Sequence, residues 1–284
     1  MAGDLVERPC VGPVSGHTLA PAMTMDPANP VRYARQVAFA GLGPAGQRKL
    51  MQARALIVGV GGLGSWTAEL LARAGVGFLR LADADTVELT NIHRQALYGQ
   101  AQAARGTPKV QAAAERIRQI NSNVVVEPVG QRLERGNIDS LAGDVQVVLD
   151  GTDNFPTRFL LNDYSVKYGR PWIFAGVVAA EAQTMTVLPD RRPCLRCIYE
   201  APPPPCADPS CRTQGVLGPA VAAIAAIQAI EAIKILAGQL QAVSPYLLKM
   251  NLWDNTFQRI DALAACAEVP CPCCQQKDFE FLDG

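Results

Sequence analysis

Arg54-Ala-Leu-Ile-Val-Gly-Val-Gly-Gly-Leu-Gly64 is the stretch of this sequence that decides its fold. Its first half is a short apolar run with branched side chains, which predicts a buried β-strand. Its second half has the pattern Gly-x-Gly-x-x-Gly and opens a helical segment. Glycines at such a turn let the backbone approach a phosphate, whose charge the helix N-terminus favours. The stretch predicts a nucleotide site whose cradle is formed by Gly59, Gly61, Gly62 and Gly64.

A carboxylate follows at the distance that a nucleotide site requires. Asp83 lies 19 residues after Gly64, at the end of the second apolar run. A ribose-binding carboxylate occupies this position in dinucleotide-binding folds. The glycine motif and Asp83 are typical of an NAD-dependent Rossmann oxidoreductase, which is one hypothesis for the function. They indicate adenosine but do not specify the reaction.

Further polar residues follow the strands and suggest a triphosphate. They are Asn91, Arg94, Gln95, Lys109 and Asp153. In a doubly wound sheet these positions gather at the carboxyl edge of the strands, where ligands bind. Arg and Lys offset phosphate charge, and an aspartate can hold Mg²⁺ through oxygen. Each residue alone could be a solvated charge or a helix cap. Together they favour ATP with Mg²⁺ over hydride transfer.

Alternation of short apolar runs with helical segments predicts an α/β fold. We expect a Rossmann-like, mostly parallel sheet with helices on both faces, extended by antiparallel strands and a four-cysteine zinc site. The predicted strands are 54–60, 77–82, 124–129, 145–150, 172–177, 184–188, 246–252 and 256–260. The predicted helices are 33–50 (one or two), 61–74, 107–120, 156–168 and 216–237.

The chain divides into an arm and one domain. Residues 1–29 are rich in Pro, Gly, Ala and Met without an apolar period, and we expect a disordered N-terminal arm. Residues 30–284 form the domain, which includes a long loop at about 190–214 and a Cys-rich tail. The apolar segment 216–237 contains Gln228, Glu231 and Lys234, which argue against a membrane span.

The composition of the chain argues against some classes of partner and indicates a cellular compartment. The formal net charge is zero, which argues against a nucleic-acid partner and against an anionic membrane surface. Nine cysteines accompany no visible secretory signal, so we expect a cytoplasmic protein with reduced thiols. Clustered cysteines in such a chain indicate a metal before they indicate disulfides.

Two Cys-x-x-Cys pairs predict a structural zinc site. They are Cys194 with Cys197 and Cys271 with Cys274, and four thiolates suit tetrahedral Zn²⁺. Such a metal would tie the tail to the loop that follows the sheet. Cys273, between the members of the second pair, could replace one of the four ligands.

The ordered motifs resemble the ThiF/MoeB/HesA adenylyltransferases, relatives of the ubiquitin-activating enzymes. The resemblance covers about residues 32–274, nearly the whole chain apart from the arm. Its motifs in order are Arg32-Tyr-Ala-Arg-Gln36, Gly59 to Gly64, Asp83 to Gln95, Gly106-Thr-Pro-Lys109, Asp150-Gly-Thr-Asp153-Asn154, Cys194-Leu-Arg-Cys197, Cys211-Arg-Thr-Gln-Gly215 and Cys271-Pro-Cys-Cys274.

The resemblance implies an activity and a partner. The chain would use ATP and Mg²⁺ to adenylylate the C-terminal glycine carboxylate of a small ubiquitin-like sulfur carrier, similar to ThiS or MoaD, and would release pyrophosphate. The pathway would be thiamine thiazole or molybdopterin biosynthesis. A non-catalytic, zinc-containing module that only binds the carrier is a further alternative.

The resemblance also implies roles for individual residues. Asp83 would bind the ribose, and Asn91, Arg94 and Lys109 would hold the triphosphate. Asp153 would coordinate Mg²⁺. Arg35 would reach the phosphates from the other subunit of a homodimer.

One cysteine could take part in a later sulfur-transfer step. Cys211 resembles the position at which a cysteine can form an acyl-persulfide with the carrier, and Arg212 beside it would favour a thiolate. The alternatives are that Cys211 is a spectator thiol, or that Cys206 takes the role.

Overall fold

The computed structural model describes residues 31–203, 214–267 and 270–284. The predictions for the N-terminal arm, for Cys206 and for Cys211 lie outside the described residues.

An eight-stranded sheet forms the centre of the molecule, in the order β3-β2-β1-β4-β5-β6-β7-β8. The first five strands are parallel, and β5 to β8 pair antiparallel. The order 3-2-1-4-5 of the parallel part is that of a Rossmann fold, so the predicted fold class is confirmed. The strands are β1 (Arg54–Val58), β2 (Phe78–Ala82), β3 (Val125–Val129), β4 (Val147–Asp150), β5 (Trp172–Val178), β6 (Glu181–Val187), β7 (Leu247–Asn251) and β8 (Thr256–Ile260).

Helices cover both faces of the sheet. One apolar core lies between the sheet and α2, α3, α5 and α8, and a second core lies beneath α6, α7 and the cysteine-containing segments. The helices are α1 (Ala34–Val37), α2 (Gly43–Gln52), α3 (Gly62–Ala74), α4 (Gln100–Arg105), α5 (Lys109–Ile120), α6 (Ile138–Ala142), α7 (Phe155–Tyr168), α8 (Gly218–Leu236), α9 (Ala262–Ala265) and α10 (Glu280–Asp283).

Element boundaries differ from the predictions where the backbone turns. The first predicted strand continues to residue 60, but β1 ends at Val58 because Gly59 adopts a positive φ of 80°. The predicted helical region 33–50 is divided into α1 and α2, with Gly43 at φ 61° where α2 begins. The short helices α4 and α6 were not predicted, because single turns carry little apolar periodicity.

The apolar helix α8 lies against the sheet. Among the described residues it is the one helix that is long and apolar enough to cross a membrane. More than half of its most apolar stretch is buried inside the protein. Its fully buried Gln228 donates from Nε2 to the carbonyl oxygens of Asp150 and Ile173, both at 2.9 Å. The hydroxyl of Thr67 on α3 donates to Oε1 of Gln228, also at 2.9 Å. This amide therefore ties α8 to α3, β4 and β5.

Candidate active site

A cleft of about 1480 Å³ opens at the carboxyl ends of the parallel strands. The residues predicted to surround a nucleotide lie in its wall. They are Gly59, Gly61, Gly62, Asp83, Asn91, Arg94, Gln95, Lys109 and Asp153. The topology thus brings together nearly all of the predicted site from four separate segments.

The glycine turn packs backbone against backbone. A Cβ on Gly64 or on Gly151 would overlap the carbonyl oxygen of Gly59. Gly64 does not line the cleft, so its part is to bring α3 close to β1. Gly61 and Gly62 do line it, and they open the helix N-terminus to a ligand.

Asp83 is held rigidly at the end of β2. Its Oδ2 accepts from the amide of Val60 at 2.7 Å, and its Oδ1 accepts from the amide of Asp85 at 2.8 Å. The hydroxyl of Tyr98 donates to the carbonyl oxygen of Val60 at 2.7 Å. Burial raises the pKa of Tyr98 well above its usual value, and the charge of Asp83 adds to this, so this hydroxyl stays a donor.

Two cations face the cleft from different elements. Lys109, the first residue of α5, is only 7% exposed, and its Nζ lies 3.0 Å from Oδ2 of Asp85. Arg94 is half-buried, and its Nη1 donates to the carbonyl oxygen of Thr90 at 2.7 Å. Both positive charges are therefore positioned before any ligand binds.

The loop that carries Arg94 is fixed by neighbouring helices. The indole Nε1 of Trp66 donates to the carbonyl oxygen of Arg94 at 3.1 Å. The hydroxyl of Ser65 accepts from the amide of Ala96 at 3.1 Å. At the start of α8, a Cβ on Gly218 would collide with the carbonyl oxygen of His93. These contacts hold the loop against α3 and α8.

Gln95, in the cleft wall, has a buried polar atom without a partner among the described residues. The residue is 5% exposed, and within the described residues its Oε1 has no hydrogen-bond partner. An unpaired buried acceptor costs free energy. The glycine cradle and the two cations fit a phosphorylated ligand.

Asp153 lies at the mouth of the cleft, on the turn between β4 and α7. It is exposed, whereas Asn154 caps α7 by accepting from the amide of Thr157 at 3.0 Å. The alternative that Asp153 serves as the cap is therefore excluded by the geometry. Its carboxylate stays available to a cation.

A buried ion pair beneath this turn was not predicted from the sequence. Oδ2 of Asp150 accepts from Nε of Arg158 at 2.9 Å, and the carboxylate of Asp150 is completely buried. Nη2 of Arg158 also donates to the carbonyl oxygens of Thr152 at 2.9 Å and of Ala175 at 3.0 Å. Arg158 therefore fixes the turn that bears Asp153.

Arg35 lies apart from the other predicted residues. It is exposed on α1 and does not line the cleft of its own chain. The cleft of its own chain is therefore formed without this side chain.

Four cysteines from two distant segments converge behind β5. The sulfur atoms of Cys194, Cys197, Cys271 and Cys274 lie within 4.8 Å of one another. The pair distances are 3.9 Å for Cys194–Cys197, 3.6 Å for Cys194–Cys271 and 3.5 Å for Cys197–Cys274. Hydrogen bonds among the four thiols lower the pKa of Cys271 and raise the pKa of Cys194, Cys197 and Cys274.

Cys273 lies outside this group of four. Its sulfur accepts from Nδ2 of Asn162 at 3.3 Å, and the side chain is fully buried beside α7. The same amide lies 3.7 Å from the sulfur of Cys194, and its Oδ1 accepts from the amide of Leu195 at 2.7 Å. Asn162 thus anchors the first Cys-x-x-Cys segment to α7.

The Rossmann sheet and the glycine-lined cleft define a nucleotide-binding α/β protein. The model of the ThiF family matches residues 33–273, so the chain belongs to the ThiF family. The chain is 41% identical over 251 residues to the sulfur carrier protein ThiS adenylyltransferase of Bacillus subtilis, covering 88% of this chain and 73% of that protein. It is a nucleotidyltransferase, as predicted.

Two further comparisons concern a relative and a solved structure. The SAMP-activating enzyme E1 of Haloferax volcanii is 37% identical and covers 92% of this chain and 94% of that protein. A crystal structure of E. coli MccB with MccA-N7isoASN superimposes with a TM-score of 0.70 at 22% identity, over 80% of this chain and 71% of that chain. This last likeness concerns the fold alone.

Proposed function

We propose that this enzyme adenylylates the C-terminal glycine carboxylate of a small ubiquitin-like sulfur carrier. The observation that carries the proposal is the set of Arg94, Lys109 and Asp153 around one glycine-lined cleft. Two preorganised cations and an available carboxylate suit a triphosphate with its metal. A nicotinamide site needs no such set.

The chemistry requires positioning and charge stabilisation. The carrier's carboxylate is ionised at neutral pH, so it can attack the α-phosphorus of ATP without a general base. The new bond is an acyl-phosphate bond, and pyrophosphate leaves with the electrons of the broken P–O bond. Arg94 and Lys109 would stabilise the charge that develops on the phosphate oxygens. Asp83 would hold the ribose hydroxyls.

Asp153 is the residue that would hold Mg²⁺. Its carboxylate is exposed at the cleft mouth, and it offers the oxygen ligand that Mg²⁺ prefers. When bound, the ion offsets the negative charge of the phosphates. The hydrogen bond from Arg158 to the carbonyl oxygen of Thr152 fixes the backbone of the turn that bears this carboxylate.

The four-cysteine cluster would hold a structural zinc ion. Four sulfur atoms at about 2.3 Å from a central ion are about 3.8 Å apart in a tetrahedron. The three distances given above, from 3.5 to 3.9 Å, agree with this geometry. A closed site of four thiolates supplies stability and leaves no open position for catalysis.

The carrier belongs to the ThiS- or MoaD-like class, and the pathway is thiamine thiazole or molybdopterin biosynthesis. One relative is named for ThiS and another for SAMP, so relatives at similar identity serve different carriers. A cytoplasmic location is part of the same proposal, since the reaction needs ATP and the metal site needs reduced thiols.

Exchange of labelled pyrophosphate into ATP tests the activity. We expect exchange that depends on a ThiS- or MoaD-like carrier from the same genome. Asp153→Ala should abolish exchange with the melting temperature unchanged, because the side chain is exposed. Full activity of this variant would refute the magnesium role.

The same assay separates the alternatives. A nicotinamide oxidoreductase would bind NADH tightly and fail to bind ATP. A non-catalytic module would bind the carrier without supporting exchange. Either result would overturn the proposed function.

We also propose a homodimer in which Arg35 completes the partner's site. Arg35→Ala and Asp153→Ala should each inactivate the enzyme alone. A mixture should regain about one quarter of wild-type activity, since half of randomly paired dimers contain one intact site. Mixing after crosslinking of each dimer is the control and should restore nothing. An active Arg35→Ala enzyme would contradict the arrangement.

A further inference from the structure

An acidic side chain, Asp85, lies in the wall of the cleft between Asp83 and Lys109. Its Oδ2 is 3.0 Å from Nζ of Lys109, and 56% of the side chain is exposed. Within the described residues, no other carboxylate lies within 4.0 Å of that ammonium group. A negative charge in the wall of an anion site needs a physical reason, because it repels phosphates.

The backbone of Asp85 joins the two groups on either side of it. Its amide donates to Oδ1 of Asp83 at 2.8 Å, and its carbonyl oxygen accepts from the amide of Lys109 at 2.9 Å. Thr86 and Pro108 form an antiparallel bridge directly beside this contact. The start of α5 is therefore fixed relative to the end of β2, and Asp85 is the residue that both segments contact.

The side-chain contact fixes the end of a flexible side chain. Lysine carries a point charge on a four-carbon stem, with three N–H donors that can rotate. The side chain of Lys109 is 9% exposed, so surrounding atoms already restrain its stem. Asp85 engages one donor and restrains the ammonium group itself. Two donors remain for a ligand in the cleft that Lys109 lines.

The Asp85 carboxylate should have opposite effects on ATP binding and on the reaction. Its charge weakens binding of a polyanion, and Arg132 offsets this charge only partly, since its Nη2 is 3.8 Å from Oδ1 and its side chain is 77% exposed. A fixed cation, in contrast, contributes most where charge develops in the transition state. A group that costs affinity for ATP while it fixes Lys109 is therefore suited to raising kcat.

We propose that Asp85 is a positioning residue that acts through Lys109. It holds Nζ of Lys109 toward the phosphate oxygens on which charge develops as pyrophosphate leaves. Its backbone links this placement to Asp83, and so to the ribose of the same nucleotide. The inference rests on the proposed function, in which Lys109 stabilises that charge.

The variant Asp85→Asn tests the inference, because it removes the charge and keeps the shape and the backbone contacts. In the pyrophosphate exchange assay, kcat should fall roughly tenfold or more, since Nζ is no longer held in place. Calorimetric titration with ATP alone should show an unchanged or tighter Kd, because a repelling charge has gone. Asp85→Glu, which keeps a carboxylate, should recover most of the lost kcat.

Glu115→Gln is the matched control, because Glu115 is an exposed carboxylate on the same helix as Lys109 and does not line the cleft. It should keep both the kcat and the Kd for ATP of the wild-type enzyme. Asp85→Ala decides the case if Asp85→Asn fails to fold.

A double-mutant cycle tests whether Asp85 acts through Lys109. In a Lys109→Ala enzyme, adding Asp85→Asn should lower the residual kcat by less than about twofold, because the group that Asp85 places is absent. An equal loss in both backgrounds, a wild-type kcat in Asp85→Asn, or a weakened ATP Kd with normal kcat would each overturn the inference and leave the proposed function intact. Absence of exchange by the wild-type enzyme would instead overturn the proposed function.

Discussion

At the residue scale, some of the fixed charges of the cleft could be predicted from the sequence and others could not. Lys109 and Asp83 could be anticipated from their distance to the glycine motif, because their positions follow from strand ends and helix starts. The pair of Asp150 and Arg158 could not, since it is recognised only when β4 and α7 are placed together. The signal available was an aspartate that ends a strongly apolar run, which is costly unless a cation pairs with it.

Two substitutions of Arg158 should distinguish its contribution to folding stability from its contribution to placing the turn that bears Asp153. Arg158→Met leaves the Asp150 carboxylate buried and unpaired, and it should lower the free energy of unfolding by about 3 kcal/mol. Arg158→Lys keeps a charge but loses the fork that holds the carbonyl oxygens of Thr152 and Ala175. We expect this variant to keep its KM for ATP and lose roughly tenfold or more in kcat for pyrophosphate exchange.

The pair of Glu69 and the exposed Arg73 offers a control for these measurements. Arg73→Lys should change stability and kcat little, because the substituted lysine stays at an exposed position and keeps a positive charge beside Glu69. An Arg158→Lys enzyme with wild-type kcat would show that the fork is dispensable for the turn of Asp153.

At the element scale, strands were predicted well and short helices poorly. β8 has the predicted bounds, and β2 and β3 each begin one residue later than predicted. Of these three strands only β2 is a buried apolar run, whereas β3 is partly exposed and β8 is exposed along most of its length. β6 begins at Glu181, three residues before the prediction, since its first residues are polar and pair with the end of β5. The convergence of α7 on both the cleft and the cysteine cluster depends on packing that periodicity does not encode.

Gln228 is the residue of α8 whose substitution should lower the free energy of unfolding most. Gln228→Leu removes three buried hydrogen bonds that link the helix to α3, β4 and β5. We expect the free energy of unfolding to fall by about 3 kcal/mol, measured by denaturant titration.

Gln241→Leu, at an exposed position after α8, should change stability by less than about 0.5 kcal/mol. Equal stabilities of the Gln228 and Gln241 variants would mean that the buried amide does not tie these elements together.

At the scale of the whole molecule, the cysteine cluster proposed to hold zinc and the cleft proposed to hold ATP are separate. Removal of zinc with a chelator and a thiol reagent should lower the melting temperature and increase hydrogen exchange in 194–197 and 271–284. ATP binding should be retained at low temperature, because the four cysteines of the cluster are not among the described residues that line the cleft. Loss of ATP affinity in step with zinc would contradict this separation.

Neighbouring cysteines give the matched comparison for the metal. Cys274→Ser should reduce bound zinc far below one ion per chain, whereas Cys273→Ser should retain one, as measured by metal analysis of the purified protein. The reverse result would mean that Cys273 is the fourth ligand and that Asn162 contacts a metal-bound sulfur.

The cysteine cluster also has a topological consequence. Cys194 and Cys271 are 77 positions apart in the chain, as are Cys197 and Cys274. With a metal bound, the intervening chain becomes a closed ring that contains α8, β7 and β8. The entropy of closing such a ring grows only slowly with its length, and each doubling costs about 0.6 kcal/mol. Insertions within the ring would therefore add little to the free energy of closing it. A protease cut within the ring would leave two fragments that still migrate together until the metal is withdrawn.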